Sequence, residues 1–343
     1  MKPSLKQIAK ELNLSPGAVS KALNDYPDIS LATKKVVISY VKKIGYRANN
    51  QAKFLRTQKT NTIGVILPEI TNQFFSEILK GVMSQAQKHD YTVIIGHSKE
   101  SQAEEKRLVN QFLQQKVDGI LMSLAQDTTD YSHLSNIIAD ETILVLFDKV
   151  AKTINCSKVF VDDRKGGFNA TRHLIKKGCN KIAHFRGNLN PQNSIDRYLG
   201  YREALTLYKI QYDPNKVLIS DNGSIKDGYL MAKKLYESRI EIDGLFCIND
   251  MVALGAIKFF REQKIDIPNE ISVIGFSKNS AGEAFQPSLS TIDQKALKMG
   301  KMAMKLFLSE EKILKTGNRL ENQTLVLKTE LIKRESTQKS FTN

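Results

Sequence analysis

Residues 5–24, LKQIAKELNLSPGAVSKALN, decide the fold at the start of the chain. Their first half repeats apolar side chains at the spacing of one helical face, namely Leu5, Ile8, Ala9 and Leu12. Ser15 is then placed to cap a second helix that begins at Pro16, where the missing N–H of proline is harmless. Two short helices joined by a tight turn predict a helix-turn-helix.

A third helix is expected after this pair. It starts at Ser30 or Thr33 and ends at Gly45, a residue suited to the left-handed turn that closes many helices. Its expected inner stripe consists of Val36, Val37, Tyr40, Val41 and Ile44. Three helices in so short a segment bury only a small core. We therefore expect this head to gain part of its order from DNA or from a second copy of the chain.

Positive charge is concentrated in the head. The chain of 343 residues has a net charge of +15, and residues 1–60 contain twelve Lys or Arg against three Asp or Glu. A small basic module on a nearly neutral body is typical of proteins that bind nucleic acid, because each neutralised phosphate releases counterions. A solvated basic face without a partner is the alternative interpretation.

The sequence lacks the patterns of several other classes of protein. It has no signal-peptide core and no membrane-length apolar run, so we expect a cytoplasmic protein. The three cysteines are far apart and the five histidines lack metal-ligand spacing, which predicts buried thiols and no metal site. Phosphate-binding loops, nucleophile elbows and zinc triads are not found. We therefore predict that the protein is not an enzyme and needs no cofactor.

From Thr62 onward, short apolar runs alternate with amphipathic helical stretches. The predicted strands are 63–67, 91–96, 119–124, 143–147, 158–162, 181–186, 245–249 and 272–276, and the clearest helices are 75–89, 104–115, 166–177 and 251–263. This alternation predicts parallel sheets with helices on both faces. The number of strands favours two lobes.

The predicted boundaries follow from this alternation and from the basic head. They are a head at 1–48, a hinge at 49–60, a first lobe at about 61–162 plus 291–320, a second lobe at about 163–290 plus 321–335, and a polar tail at 336–343.

Ligands in open parallel sheets bind beyond the carboxyl ends of the strands. The residues at those positions are Pro68–Asn72, His97 and Ser98, Asp148, Asp162 and Asp163, Gly187–Asn193, Asn249 and Asp250, and Ser277. Most of them carry hydrogen-bonding groups, which suit a polyhydroxylated ligand such as a sugar. Phe74 and Phe75 follow the first strand closely, and either supply an apolar platform for a sugar ring or pack in the core.

Both halves of the chain resemble the LacI/GalR (lactose-repressor) family. The segments that carry the resemblance are LKQIAKELNLSPGAVSKALN (5–24), YRANNQAKFLRTQKTNTIGVI (46–66), FDKV (147–150), DRYLGY (196–201) and INDMVALGA (248–256). The similarity extends from Leu5 to about Arg334. It implies an all-α helix-turn-helix head joined to a two-lobed α/β core with parallel sheets, like that of periplasmic binding proteins.

The resemblance implies that the second helix enters the major groove of DNA. Pro16, Gly17 and Lys21 match the base-reading positions, and only Lys21 among them has side-chain donors, which suit guanine. The other residues expected to contact DNA are Ser15, Ser20, Asn24, Ser30, Thr33, Lys34, Tyr46, Asn49, Ala52 and Leu55. Ser15 is equally suited to a plain helix cap.

Residues 49–56 resemble the family's hinge helix, which forms where two copies meet over a minor groove. Leu55 matches the leucine that wedges between base steps and kinks the duplex; without the resemblance it is an ordinary packing residue. The family usually has proline where this chain has Ala48. Since alanine restrains the backbone less than proline, we expect a looser hinge away from DNA.

The resemblance also implies which residues bind the effector. The expected set is Asn72, Phe74, Phe75, Asp148, Arg197, Asn249, Asp250, Phe276 and Ser277. Arg197 matches an arginine that clamps the effector, and a structural bridge to Asp163 or Asp196 is the alternative. Ser277 stands where the family most often has aspartate, and Phe276 where tyrosine is usual. That departure removes a bidentate acceptor for neighbouring hydroxyls and leaves the identity of the sugar open.

The sequence therefore predicts a transcriptional repressor that binds a pseudo-palindromic operator as a homodimer or a dimer of dimers. A small molecule, expected to be a sugar or sugar derivative, controls its affinity from the cleft between the lobes. A periplasmic binding protein and a ligand-free nucleoid protein are the rival interpretations. The basic head argues against the first, and the polar cleft against the second.

Overall fold

The computed structural model describes residues 4–23, 25–46, 59–316 and 321–339. The chain divides into two compact units, residues 1–60 and 61–343. None of the helices in these described ranges has the length and apolar character of a membrane span. The three cysteines are free and buried, as predicted.

The described residues of the head unit form three helices with capped starts. They are α1 (Leu5–Glu11), α2 (Pro16–Leu23) and α3 (Leu31–Lys43). The Ser15 hydroxyl accepts a hydrogen bond from the Ala18 N–H at 3.0 Å, and the Ser30 hydroxyl accepts one from the Thr33 N–H at 3.1 Å. Both serines therefore satisfy N–H groups that would otherwise lack a partner at the start of a helix.

The head core matches the predicted apolar stripes with one correction. Its fully buried side chains are Ile8, Ala9, Val19, Ala22 and Val37. Val36 is expected in the stripe of α3, yet its side chain is 54% exposed. Neighbouring helical residues point about 100° apart, so Val36 cannot share the face that Val37 and Tyr40 turn to the core.

The core unit contains two six-stranded sheets. The first consists of β1 (Thr62–Leu67), β2 (Thr92–His97), β3 (Gly119–Met122), β4 (Ile143–Phe147), β5 (Ser157–Val161) and β11 (Thr324–Leu327), in the spatial order β11-β5-β4-β3-β1-β2. The second consists of β6 (Ile182–Arg186), β7 (Val217–Ile219), β8 (Gly244–Cys247), β9 (Ser272–Phe276), β10 (Ser290–Asp293) and β12 (Glu330–Ile332), in the order β12-β10-β9-β8-β6-β7. All pairings are parallel except β10 with β12.

Helices cover both faces of each sheet, as the alternating pattern predicts. They are α4 (Gln73–Ala86), α5 (Gln102–Gln114), α6 (Ser132–Ala139), α7 (Asp163–Lys176), α8 (Gln192–Leu207), α9 (Ile225–Glu237), α10 (Asp250–Glu262), α11 (Ser280–Ala284) and α12 (Ala296–Lys315). In the first lobe α4 and α12 pack on one face of the sheet. In the second lobe α9 and α10 cover one face, and α7 and α8 cover the other.

The predicted lobe boundaries need correction near the end of the chain. The chain crosses between the lobes at 162–163, 293–296 and 327–330, which we call the crossovers. The prediction places β10 in the first lobe, but this strand pairs with β9 in the second lobe. The prediction places β11 in the second lobe, but this strand pairs with β5 in the first lobe. Strands of four residues carry too little pattern to reveal which sheet they join.

The predicted polar tail also needs correction. Ser336 and Thr337 are fully buried in the second lobe. The Ser336 hydroxyl donates to the Val273 carbonyl at 2.6 Å and accepts from the Ser290 N–H at 2.8 Å. Their polar composition reflects hydrogen bonding to backbone and neighbouring side chains, not exposure.

α7 and α8 lie unusually close because glycines face the neighbouring backbone. A methyl group placed on Gly200 would overlap the Arg164 carbonyl, and one placed on Gly167 would overlap the Arg197 carbonyl. Both obstacles are backbone atoms, which cannot move aside as a flexible side chain can. This crossing therefore fixes the position of the Arg197 backbone.

We expect Gly200→Ala to lower the free energy of unfolding of the core by about 1–3 kcal/mol, because the added methyl forces the two helices apart. Urea denaturation followed by circular dichroism measures this change. Leu207→Ala, at a 65% exposed position of the same helix, serves as the control and should change stability by about 0.5 kcal/mol or less. Equal stabilities of the two variants would contradict the close crossing.

Candidate effector cleft and DNA-binding surface

A cavity of about 180 Å³ lies between the carboxyl ends of the two sheets. The residues of the expected effector set that line it are Asn72, Phe74, Phe75, Asp148, Arg197, Asn249 and Ser277. They come from the ends of strands in both lobes, where parallel sheets place their ligands. The structure therefore brings most of the expected set together in one cleft.

Arg197 is almost completely buried at the floor of this cleft. Its Nε donates to Asp163 at 2.8 Å, Nη1 donates to the Ile248 carbonyl at 2.8 Å, and Nη2 donates to Gln294 at 3.0 Å. The guanidinium also lies 3.8 Å above the centre of the Phe276 ring. Since a guanidinium has five N–H groups, one on each Nη remains for a ligand in the cavity. Arg197 thus forms the structural bridge to Asp163 and also lines the cavity, so the two alternatives for this residue are compatible.

Asp163 and Gln294 tie Arg197 to two of the three crossovers. Asp163 is the first residue of α7 and lies directly after the crossover at 162–163, while Gln294 belongs to the crossover at 293–296. Arg197 is therefore hydrogen-bonded to two of the segments that connect the lobes.

Burial of the Asp163 carboxyl raises its pKa to about 7, and the nearby Arg197 charge opposes part of this shift. The main cause is desolvation, which favours the neutral acid. The pKa of Asp148 is raised for the same reason, against the opposing charges of Lys149 and Arg197. Two buried carboxyls therefore lie near one buried guanidinium.

Asp148 is the buried acceptor of the cleft. Among the described residues, its carboxylate oxygens accept only long hydrogen bonds, from Asn193 at 3.4 Å and from Ser123 at 3.5 Å. Its backbone has a φ of 57°, a left-handed conformation that aspartate tolerates better than most residues. A buried carboxylate with weak partners is suited to accept hydrogen bonds from ligand hydroxyls.

Asn72 and the two phenylalanines form the wall of the cleft in the first lobe. Asn72 caps α4 by accepting a hydrogen bond from the Phe74 N–H at 2.9 Å. Phe74 and Phe75 pack edge to face with centroids 5.1 Å apart, and both belong to the core of the lobe as well as to the cavity wall. The two alternatives left open by the sequence, platform and core, are therefore compatible.

Asp250 and Phe276 lie behind the cleft wall and not in it, which corrects their expected positions. The Asp250 carboxylate accepts from the Thr291 hydroxyl at 2.6 Å and from the Asn279 N–H at 2.5 Å, and burial raises its pKa to about 6. Phe276 is fully buried beneath Arg197. Both residues therefore support the lining residues of the second lobe.

Asn249 and Ser277 line the cleft but are engaged in local hydrogen bonds. The Asn249 side chain caps α10 by accepting from the Val252 N–H at 2.8 Å, and donates to the Gly223 carbonyl at 2.9 Å. The Ser277 hydroxyl accepts from Gln294 at 2.9 Å. Ser277 also has a φ of 124°, a strained value for a residue with a side chain.

Sequence reasoning missed several lining residues. They are Glu100, Gln126, Lys149, Ser194, Ser220, Asn222, Gly223, Ile248 and Gln294. Ser220 to Gly223 follow the three-residue strand β7, which gives no periodic signal. Gln294 follows β10, which the sequence pattern places in the wrong lobe. Correct placement of these two short strands would have pointed to both groups of residues.

The two lobes are joined by direct hydrogen bonds across the cleft. The Asn190 amide donates to the carbonyls of Gln126 and Thr128 at 2.8 and 3.1 Å, and the Gln126 amide donates to the Asp221 carbonyl at 3.0 Å. On another side of the cleft, the Ser280 N–H donates to Gln73 at 2.7 Å. The structure therefore shows the lobes in contact.

In the head, α2 turns its apolar residues inward and its expected base-reading residues outward. Pro16, Gly17 and Lys21 are exposed, whereas Val19 and Ala22 are buried. The Lys21 ammonium forms an ion pair with Asp28, which raises the pKa of Lys21 and lowers that of Asp28. The expected base contact of Lys21 therefore requires this ion pair to open.

The remaining expected DNA contacts divide between described and undescribed residues. Ser15 and Ser30 are helix caps, and Thr33 is hydrogen-bonded to the Ser30 hydroxyl. Ser20 lies on α2, and Lys34 forms an ion pair with Asp25 at 2.7 Å. Tyr46 packs against the head core. Asn24, Ala48, Asn49, Ala52 and Leu55 lie outside the described residues.

Comparison with known proteins identifies the core. Residues 60–334 match the family model described as periplasmic binding proteins and sugar binding domain of LacI family. The transcriptional regulator RegA of Clostridium saccharobutylicum is 33% identical over 338 residues, which cover 98% of this chain and 100% of RegA. The chain belongs to the LacI family of transcriptional regulators.

Solved structures of LacI-family members have the same fold. The structure of the regulator CelR in complex with cellobiose has a TM-score of 0.73 at 25% identity, and covers 98% of this chain and 100% of that one. The lac repressor dimer bound to operator and the anti-inducer ONPF has a TM-score of 0.86 at 22% identity, and covers 98% and 99%. The predicted head and two-lobed core are thus confirmed.

The pKa shift of Asp163 predicts a pH dependence of stability. With a pKa of about 7 in the folded state and about 3.8 when unfolded, the folded state binds the proton more tightly. The stability that this proton contributes is present at low pH and is lost as the pH rises from about 4 to about 7. The amide introduced by Asp163→Asn does not titrate, so the free energy of unfolding of the variant should rise relative to the wild type across this window.

Denaturant titrations of both proteins measure this trend, at about pH 4.5, 5.5 and 6.5 within that window and at about pH 7.5 above it. Replacement of the protonated carboxyl by an amide changes the stability of the variant by an amount that does not vary with pH, so the trend with pH, and not the difference at a single pH, is informative. The exposed change Asp90→Asn is the control and should run parallel to the wild type. A parallel Asp163→Asn curve would contradict the raised pKa.

Proposed function

We propose that this LacI-family chain is a repressor that binds operator DNA with its head and a sugar or sugar derivative in its cleft. The observation that carries the effector part is the pairing of a buried donor, Arg197, with a buried acceptor, Asp148, around one small cavity. Fixed donors and acceptors at an aromatic wall are the groups that bind a polyhydroxylated ring. The sugar-bound structure of CelR supports this class of ligand.

Effector binding acts through Arg197 and the crossovers. Since Arg197 is hydrogen-bonded to Asp163 and Gln294, a ligand that contacts its free N–H groups stabilises one arrangement of the two lobes over others. The affinities for effector and operator are then linked by the same factor in both directions. Either sign of regulation, induction or corepression, is compatible with these contacts.

The operator-binding form is proposed to be a homodimer that recognises a pseudo-palindromic site, alone or paired into a tetramer. Both sheets end in an edge strand with an exposed isoleucine, Ile95 of β2 and Ile219 of β7. Met83, Ile225 and Leu230 add exposed apolar side chains on α4 and α9. Exposed apolar edges of this kind favour pairing with a second copy.

The effector assignment is tested by a thermal-shift screen of the full chain against sugars and sugar phosphates, followed by titration calorimetry. Arg197→Lys keeps the charge but loses the fork that contacts Asp163, Gln294 and the ligand together. We expect the Kd of the effector to rise about tenfold or more. Operator binding in the absence of effector, measured in parallel, shows whether the variant keeps a folded, DNA-binding form. Arg202→Lys, on the same helix but outside the cleft, is the matched control. An unchanged Kd in Arg197→Lys would remove Arg197 from the binding site.

The DNA assignment is tested at Lys21. Selection from random duplexes identifies the operator sequence. Fluorescence anisotropy then gives the Kd for this operator and for a duplex mutated in each half-site, and the ratio of the two values measures discrimination. Lys21→Ala should reduce this discrimination about tenfold, because a base contact is lost. Lys35→Ala removes the same charge and should weaken binding to both duplexes equally.

Asp28→Asn frees Lys21 from its partner and should tighten operator binding. Weaker binding would show that Asp28 orients Lys21 for the base.

A further inference from the structure

A second, outer chamber adjoins the effector cleft. This outer chamber has a volume of about 910 Å³, against about 180 Å³ for the inner cavity. The residues that line both are Glu69, Glu100, Gln126, Asn188 and Asn222. Since the two spaces share these walls, they lie directly beside each other. The inner cavity is smaller than the roughly 300–1,000 Å³ of pockets that bury drug-sized ligands, whereas the outer chamber lies within that range.

Polar side chains in the outer chamber are available to a ligand. The side chains of Asn188, Asp221 and Asn222 have no hydrogen bond or ion pair with any residue that the structure describes. Gln126 and Asn190, at the same chamber, are by contrast engaged in the bonds that join the lobes. Carboxylate and amide groups without protein partners provide acceptors and donors for additional hydroxyls.

The charge of the outer chamber restricts the ligand. Four carboxylates line it, those of Glu69, Glu100, Asp127 and Asp221. The pKa of Glu69 is lowered mainly by hydrogen bonds from Thr71, which keep this carboxylate ionised. The basic side chains on its wall are those of His97 and Lys99, and the His97 ring lies 4.0 Å from the Glu69 carboxylate. Lys149 lines the inner cavity, and its ammonium pairs with the Glu100 carboxylate at a distance of 2.5 Å. The excess of negative charge opposes a phosphate group.

We propose that the effector is an uncharged glycoside of at least two sugar units, with one ring between Arg197 and Asp148 and the next in the outer chamber. This inference rests on the proposed function and extends it to the length and charge of the ligand. A single sugar would leave the unpartnered groups of the outer chamber in water. A sugar phosphate would bring its charge against the carboxylates.

Titration calorimetry on the full chain tests the proposal with matched ligands. Glucose, galactose and ribose are compared with cellobiose, maltose and lactose, and with glucose 6-phosphate. We expect at least one disaccharide to bind about tenfold or more tightly than its component monosaccharides and than the phosphate. A monosaccharide or phosphate that binds as tightly as every disaccharide would overturn this inference and leave the proposed function intact. Absence of binding by all sugars would overturn both.

Two variants locate the second unit. Thr129 lines only the outer chamber, so Thr129→Trp should fill it and remove the preference for the disaccharide, with monosaccharide binding retained. Thr206→Trp, at an exposed threonine of α8 that lines neither chamber, is the matched control. Asp221→Ala keeps the backbone carbonyl that bonds Gln126 and should weaken only the disaccharide, about tenfold or less. Unchanged preference in both chamber variants would overturn the assignment of the second ring.

Discussion

Arg197 carries a positive charge that is almost wholly removed from water, and such a charge is tolerated only where acceptors surround it. Its acceptors come from three places that are distant in sequence: Asp163 at one crossover, Gln294 at another and the Ile248 carbonyl at the end of β8. The Phe276 ring closes the remaining face. The requirement to neutralise one side chain thus holds together the strand ends and crossovers that make up the cleft floor.

The position of Arg197 depends in turn on close helix packing. Gly167 lets α7 approach the Arg197 carbonyl, and Gly200 lets α8 approach the Arg164 carbonyl. The same arrangement recurs where α9 meets α10 and where α4 meets α12, through Gly228 with Gly255 and Gly81 with Gly300. Glycine in the middle of a helix disfavours that helix by about 1 kcal/mol relative to alanine. These positions are therefore explained by tertiary packing and not by local preference.

The sequence predicts most of the fold because long periodic segments carry their own signal. The alternation of apolar strands and amphipathic helices predicts a covered parallel sheet, and the strand-end rule places Asp148 and Asn249 at the cleft. The signal fails where the elements are short. The prediction exchanges β10 and β11 between lobes since four residues do not specify a partner strand, and it assigns the two buried hydroxyl residues Ser336 and Thr337 to a polar tail.

Phe276 and Asp250 show a different limit. Asp250 matches the family pattern, and Phe276 occupies a position where the family usually has tyrosine. Such a correspondence alone cannot separate a residue that touches the ligand from one that supports the residue that does. Asp250 holds Thr291 and the Asn279 backbone, and Phe276 lies beneath Arg197. Whether a residue lines the cavity or supports its wall depends on which side of a strand end faces the cavity. That orientation is set by how the helices pack, and the sequence pattern does not specify this packing.

The two ion pairs at the proposed functional surfaces differ in a way that matches their tasks. Lys21 and Asp28 are both about half exposed, so water and DNA phosphates can replace either partner, and the pair can exchange its internal contact for a base. Arg197 and Asp163 are both buried, so neither can leave without exposing an uncompensated charge to the interior. Under the proposed function, a ligand at Arg197 therefore adds to the existing bonds, and we propose that its effect passes to the crossovers because those bonds remain in place.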